Sequence, residues 1–277
     1  MPVPSVAHVP VKRVKEANIS DADDMLAVEE PMEIRLGYTA AGKPVQKSIS
    51  VTMRTPGNDF ELAAGFLYTE GIIRSVADVI SVKYANEQKE QVVLVNLKDT
   101  VIPDISKLER NFYTSSSCGV CGKASIEAVF AACNILESKD NLRFSPGIIY
   151  QLPDILRKHQ DVFEHTGGLH GCALFDASGT LVLTREDVGR HNALDKLIGA
   201  ALNGGILPLD KHLLLLSGRA SFELMQKAAM AGIKVVAAVG APSSLAVQMA
   251  EEWGMTLIGF LRGERFNIYS GAERIVI

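Results

Sequence analysis

Apolar and polar positions alternate along the first third of the chain and give way to unbroken apolar runs in the last. Met32, Ile34 and Leu36 alternate with charged or small residues, and Val45, Ile49, Val51 and Met53 form a second run beyond Ala41-Gly42-Lys43. Alternation on both sides of a turn predicts a β-hairpin over residues 27–54. From Asn58 to Glu70 the period changes: Phe60, Ala63, Ala64 and Leu67 share a helical face, Asn58 and Glu61 have capping-box spacing, and Gly71 is placed to end the helix. Residues 79–84 and 92–97 predict a second hairpin. Hairpin, helix, hairpin describes a small α+β domain.

The C-terminal half reads differently. Residues 213–216, 235–239 and 256–261 are continuous apolar runs, and the helical stretches 221–231 and 243–253 between them stop at Gly232 and Gly254. Strands buried on both faces have this pattern. The order βαβαβ implies a parallel sheet with right-handed crossovers. Residues 181–184, followed by a helix from about 189 to 202, are assigned to the same sheet. Ile126, Val129, Phe130 and Cys133 fall at i, i+3, i+4, i+7, which predicts another helix with Cys133 as a small core residue.

The chain has 277 residues, 47% of them apolar, enough for two domains. The expected division is a flexible tail over 1–20, a small α+β domain over 21–110, and a larger α/β domain over 111–277. A net charge of −4 without a Lys/Arg block gives no sign of nucleic-acid binding. No apolar run approaches the roughly 20 residues of a spanning helix, and residues 1–14 lack the apolar stretch of a secretory signal. The expected location is therefore the cytoplasm, where thiols stay reduced.

That compartment matters for Cys118-Gly119-Val120-Cys121-Gly122, entered through Thr114 and three serines. A dithiol on such a loop can hold a metal, cycle through a disulfide or carry sulfur. A helix beginning near Lys123 would favour the thiolate. Cys118, Cys121, His170 and Cys172 have the composition of a four-ligand zinc set. A dithiol–disulfide oxidoreductase and a zinc-stabilised binding module are thus alternatives to sulfur transfer.

Parallel topology makes a further prediction, because ligands bind at the carboxyl edge of such a sheet. Four segments belong there: 186–191 with Asp187, Arg190 and His191; 217–221 with Ser217, Gly218 and Arg219; 240–244; and 262–265 with Arg262, Gly263, Glu264 and Arg265. Glycines permit close approach, helix N-termini offer N–H groups to anions, and arginines supply forked donors for phosphate. Asp187 and His191 are one helical turn apart, which suits either a working pair or an Asp cap beside a solvent-facing His. His170 follows a glycine turn into an apolar strand and is either a ligand or a buried hydrogen-bonded residue. His159 and His165 read as surface residues. Neither a Walker loop nor a dinucleotide fingerprint is present.

Cys118-Gly-Val-Cys121-Gly, Thr166-Gly-Gly-Leu-His170, the segment from Glu186 to Lys196, Ser217-Gly-Arg-Ala-Ser221 and Gly259-Phe-Leu-Arg-Gly-Glu-Arg265 together resemble the formate dehydrogenase accessory sulfurtransferase family, FdhD. The resemblance runs from about Ala27 to the end. It implies a C-terminal cytidine deaminase-like three-layer domain with a mostly parallel sheet, and a homodimer. It further implies a persulfide on Cys118, with Cys121 as its partner, loaded by a cysteine desulfurase. The acceptor would be the molybdenum of a bis(molybdopterin guanine dinucleotide) cofactor destined for formate dehydrogenase. The guanosine diphosphate moiety would be held by Phe260, Leu261, Arg262, Gly263, Glu264 and Arg265. Deamination is not implied, since His-x-Glu with Pro-Cys-x-x-Cys is missing.

Overall fold

The computed structural model describes residues 4–86, 89–104 and 141–276. Twelve strands and six helices lie among them, in three sheets. The predicted first hairpin is β3 (Glu30–Ala40) and β4 (Lys43–Arg54), and the second is β5 (Val79–Asn86) and β6 (Lys89–Leu97). They join in one sheet of order β4-β3-β6-β5, with β3 and β6 parallel at its centre. Helix α1 (Asp59–Thr69) crosses between them. Met32, Ile34, Leu36, Val93 and Val95 on the sheet bury against Leu62, Ala63 and Leu67 of α1.

Two local expectations for α1 fail. Asn58 adopts φ 58°, ψ 28° and its side chain makes no capping bond, so there is no capping box. The entry is held instead by the buried pair Arg54–Asp59, with Nε to Oδ1 at 3.0 Å and Nη2 to Oδ2 at 2.9 Å. Phe60 lies off the buried face, 38% exposed and tilted against Tyr84. Gly71 ends the helix as expected, at φ 72° with its N–H bonded to Tyr68 O.

The segment expected as a flexible tail is a two-stranded ribbon, β1 (Val6–Lys15) paired antiparallel with β2 (Asn18–Ala27). Its turn places Glu16 and Ala17 at φ 49° and 67°, the twist that suits a two-residue hairpin loop. No Asn-Gly signal marks that turn, and the ribbon has no fully buried face, which is why its pattern reads as unstructured. At its base, Val28 N–H bonds Ser5 O.

The second body is a six-stranded sheet of order β12-β11-β10-β9-β7-β8. It comprises β7 (His170–Phe175), β8 (Leu181–Asp187), β9 (Leu213–Leu216), β10 (Val235–Ala238), β11 (Thr256–Arg262) and β12 (Arg265–Ser270). Helices α2 (Pro146–Arg157), α3 (Asp161–Thr166), α4 (Arg190–Asn203), α5 (Phe222–Met230) and α6 (Ser244–Glu252) accompany it among the described residues. The βαβαβ unit is β9-α5-β10-α6-β11, all three strands parallel. The sheet as a whole is mixed rather than mostly parallel: β7 runs antiparallel between β8 and β9, and β12 is antiparallel to β11. Tight turns cause this, because strands joined by a few residues can pair only antiparallel. One turn is fixed by Asp176, whose carboxylate accepts from Ser178 and Thr180 N–H, and the other by Gly263 at φ 56°.

Alternate residues of the buried strands face opposite ways, as a pleated sheet demands. Cys172, Leu174, Leu214, Leu216 and Val236 pack with α4, α5 and α6. Ala173, Phe175, Leu213, Leu215 and Val235 pack with α2. The two bodies meet through α1 and α4. A Cβ on Gly65 would fall 1.9 Å from Asp195 O, and one on Gly199 would fall 1.9 Å from Glu61 O, so these helices touch backbone to backbone. None of the helices among the described residues is long and apolar enough to cross a membrane.

That contact gives a test. Gly199→Ala should lower the unfolding free energy by about 3 kcal/mol or more, since backbone cannot yield as a flexible side chain can. Gly147→Ala, where a Cβ meets nothing within 4 Å, should leave it nearly unchanged or slightly higher. Urea unfolding of the two variants measures the contrast.

Candidate ligand cleft at the sheet edge

Strands β8, β9, β10 and β11 all end on one edge, and antiparallel β7 begins there, so His170 joins the four predicted segments. Short backbone bonds draw them together. Ser217 Oγ accepts from Gly171 N at 2.8 Å, Ser217 N donates to Gly171 O at 3.0 Å, Gly240 N donates to Gly218 O at 2.9 Å, and Phe260 N donates to Gly240 O at 3.0 Å. The glycines are required: a Cβ on Gly240 would meet Gly218 O at 3.0 Å, and one on Gly218 would meet His170 Nδ1 at 3.3 Å.

A cavity of about 640 Å³ opens between this edge and helices α2 and α3. Arg157, Gln160, Gly167, His170, Ser217 and Gly218 line it. Gly167, at φ 64°, ends α3 and turns the chain back into β7, so the Thr166–His170 motif forms one wall. The Arg157 guanidinium lies 4.9 Å above the Phe163 ring, which fixes a cation at the cleft. Burial, followed by the nearby Arg190, lowers the His170 pKa below 6.5, while Asp187 acts in the opposite sense.

The segment from Glu186 to Lys196 behaves chiefly as a lock between the two bodies. Asp187 is fully buried; Oδ2 accepts from Lys196 Nζ at 2.7 Å and Thr55 N at 3.1 Å, and Oδ1 from Gly189 N at 2.8 Å and Asn192 Nδ2 at 3.2 Å. Lys196 Nζ also reaches Thr55 O at 2.8 Å. Glu186 accepts from the first N–H groups of α3, at Val162 and Phe163, and from Gln160 Nε2. Asp195 receives Lys227 Nζ on both oxygens at 2.9 Å and Thr69 Oγ1 at 2.9 Å. Asp187 therefore neither caps a solvent-facing histidine nor has an oxygen free to pair with one. His191 is buried, 5% exposed, and its Nε2 has no hydrogen-bond partner among the described residues. The Arg190 Nε and Ser221 Oγ are likewise buried without partners.

The remaining predicted residues divide clearly. Ser217 and Gly218 are on the cavity wall, whereas Arg219 is exposed beside it. Phe260 is exposed and Leu261 is a fully buried core residue. Arg262 and Arg265 are cross-strand partners of a hairpin that overhangs the edge, with Gly263 and Glu264 exposed at its turn. Cys172 is in the apolar core and burial pushes its thiol pKa up, which disfavours the thiolate that a zinc ligand needs. His159 and His165 are exposed. Cys118, Cys121, Lys123 and the helix expected to carry Cys133 lie outside the described residues. Arg157, Gln160 and the Asp195–Lys227 pair escaped the sequence reading. The available signal was charge within an apolar helix: Asp195 and Lys196 stand between Leu194 and Leu197, and buried charges in such a place need partners.

These features define a mixed α/β protein with a glycine-walled cleft at the end of a sheet. The chain belongs to the FdhD/NarQ family, which matches residues 27–276. It is 51% identical to the sulfur carrier protein FdhD of Streptomyces coelicolor over 96% of this chain and 94% of that one. Identity is 46% to that of Mycobacterium tuberculosis, over 98% and 99%, and 42% to that of Thermoplasma volcanium, over 98% and 96%. The fold is shared with a proposed formate dehydrogenase accessory protein from Desulfotalea psychrophila, at TM-score 0.75 and 23% identity, covering 99% of this chain and 100% of that one.

His191 makes acid stability informative. Burial, then Arg190, lowers its pKa from 6.5 to about 4, so the folded protein holds it neutral. The unfolded chain takes up the extra proton below 6.5, so this contribution to stability is present at neutral pH and falls as pH drops from 6.5 toward 4. Between pH 7 and pH 4.5, wild type should lose about 2–3 kcal/mol more than His191→Gln in urea unfolding.

Proposed function

We propose that this protein is a sulfur carrier that loads sulfur from a cysteine desulfurase onto Cys118 and delivers it to a molybdenum cofactor for formate dehydrogenase. The observation that carries the reading is near full-length identity to proteins named sulfur carriers, 42–51% over at least 94% of both partners. The cleft supports it. Its volume suits a nucleotide-sized group, and the polar atoms of Arg190 and His191 that are buried without partners among the described residues are what a site for a polar ligand would present. Arg262 and Arg265 at the overhanging hairpin, without an ion-pair partner among the described residues, suit phosphate.

In loading, the Cys118 thiolate attacks the outer sulfur of the donor's persulfide. The donor's S–S bond breaks, its cysteine leaves as thiolate, and a persulfide forms on Cys118 with no net oxidation. Release as sulfide takes up two electrons. Cys121 supplies them if its thiolate attacks the inner sulfur, closing a Cys118–Cys121 disulfide that a cellular dithiol then reopens. The bis(molybdopterin guanine dinucleotide) cofactor is the substrate in this scheme, anchored through its guanosine diphosphate part by the edge segments. Ser217, Gly218 and Arg219 border that anchor. The cytidine deaminase-like assignment of the C-terminal body, the homodimer and a cytoplasmic location belong to the same reading.

Incubation with a cysteine desulfurase and cysteine, followed by intact-mass analysis, should add about one sulfur atom to the Cys118 peptide. Cys118→Ala should abolish that gain and leave calorimetric binding of guanosine diphosphate within about twofold. Unchanged labelling of Cys118→Ala would remove the assignment.

A further inference from the structure

The two helices that wall the cleft are held in different ways. Helix α2 sinks Ile149, Leu152 and Leu156 into the core, each no more than 2% exposed, and packing fixes it. Helix α3 has no buried residue. Its six residues make less than about two turns, and a helix that short does not persist without support from its surroundings. The ribbon packs on it through β2, but no residue of β1 or β2 is buried either, so that support is light. The Arg157–Phe163 contact ties α3 to α2 rather than to the sheet, and it is weak because Arg157 is exposed.

One side chain supplies the tether. Among the described residues, the hydrogen bonds that join α3 to the six-stranded sheet all end on the Glu186 carboxylate. They come from Gln160 Nε2 at 3.2 Å, Val162 N at 3.2 Å and Phe163 N at 3.3 Å. Glu186 itself stands on rigid ground: it pairs with Gly171 across β7 and β8, and its carbonyl accepts from the buried Lys196 Nζ at 3.3 Å. At its other end α3 runs into Gly167 and Gly168, both exposed. A Cβ on Gly167 would meet nothing within 4 Å, so glycine serves the backbone there, at the kind of position that absorbs a change of φ and ψ. A short element without a buried face, held by one carboxylate at one end and by glycines at the other, has the makeup of a unit that opens locally.

We propose that α3 is a gate over the cleft, and that Glu186 is the positioning residue that latches it to the sheet. With the latch made, Phe163 and Gly167 form the movable wall opposite α2. With the latch broken, α3 swings about Gly167 and Gly168 and uncovers His170, which lines the cavity. What the gate admits rests on the reading of the cleft given above; that it opens does not.

Hydrogen exchange of the full chain, read by mass spectrometry, and modification of its histidines by diethyl pyrocarbonate test this. In wild type the amides of α3 should exchange about a hundredfold or more faster than those of α4. Glu186→Gln keeps the shape of the side chain and loses one acceptor oxygen. It should speed exchange in α3 about tenfold, as the loss of hydrogen bonds to a charged group predicts, and leave α4, α5 and β9 within about twofold. In the same variant His170 should be modified about tenfold faster, in step with the opening, while exposed His8 and buried His191 keep their wild-type rates. Wild-type α3 as well protected as α4 would overturn the proposal without recourse to any variant. Exchange that rises together in α3, α4, α5 and β9 would make Glu186 a support of the whole fold and overturn it too. Faster exchange in α3 with His170 no more reactive would mean fraying that uncovers nothing, and the gate would fall. Neither probe involves a ligand, so a failure of the cofactor reading would leave both results unchanged.

Discussion

The architecture depends on one contact, the backbone-to-backbone crossing of α1 over α4. Gly65 and Gly199 leave no room for a side chain there, and around the crossing the polar groups of one body meet those of the other. Thr55 binds Asp187 and Lys196, Thr69 binds Asp195 and Lys227, and Glu61 binds Arg185 through paired bonds of 2.5 and 2.7 Å. Each buried charge would be costly alone. Together they fix how the four-stranded sheet sits on the six-stranded one. Because α4 begins where β8 ends, the same crossing sets the position of Arg190 and His191 at the carboxyl edge of the sheet.

That coupling explains why the most distinctive stretch of the chain is mostly scaffold. From Glu186 to Lys196, five side chains with polar groups (Glu186, Asp187, Asn192, Asp195 and Lys196) are engaged in bonds that join elements distant in sequence. Those of Arg190 and His191 retain a buried nitrogen with no partner among the described residues.

Much of the frame was legible because it rests on local rules. The alternation of Met32, Ile34 and Leu36, the apolar runs of β9, β10 and β11, and the stops at Gly71, Gly232 and Gly254 all translate directly into elements. Strand direction did not, since the placement of β7 between β8 and β9 is a long-range choice that no window of sequence encodes. Antiparallel β7 has a positional effect: it brings the Thr166–His170 turn to the edge where the parallel strands end. The edge segments were recognisable from glycine and arginine spacing. Their division into wall, core and overhang was not, because Leu261 and Phe260 differ by one residue in sequence and by full burial against exposure in space.

The β1–β2 ribbon has a consequence for the behaviour of the chain in solution. Both of its strands are margins, each with a row of backbone donors and acceptors open to any passing extended peptide. Val14 and Ile19, opposite each other near the tip, would add adhesive surface. Lys12, Arg13 and Lys15 on one margin and Asp21, Asp23 and Asp24 on the other put charge where a stray strand would have to dock. The exposed Lys12–Asp21 pair adds little to folding; the like charges along each margin repel a second ribbon that presents its matching strand, so a basic margin meeting an acidic one is the pairing that charge leaves open.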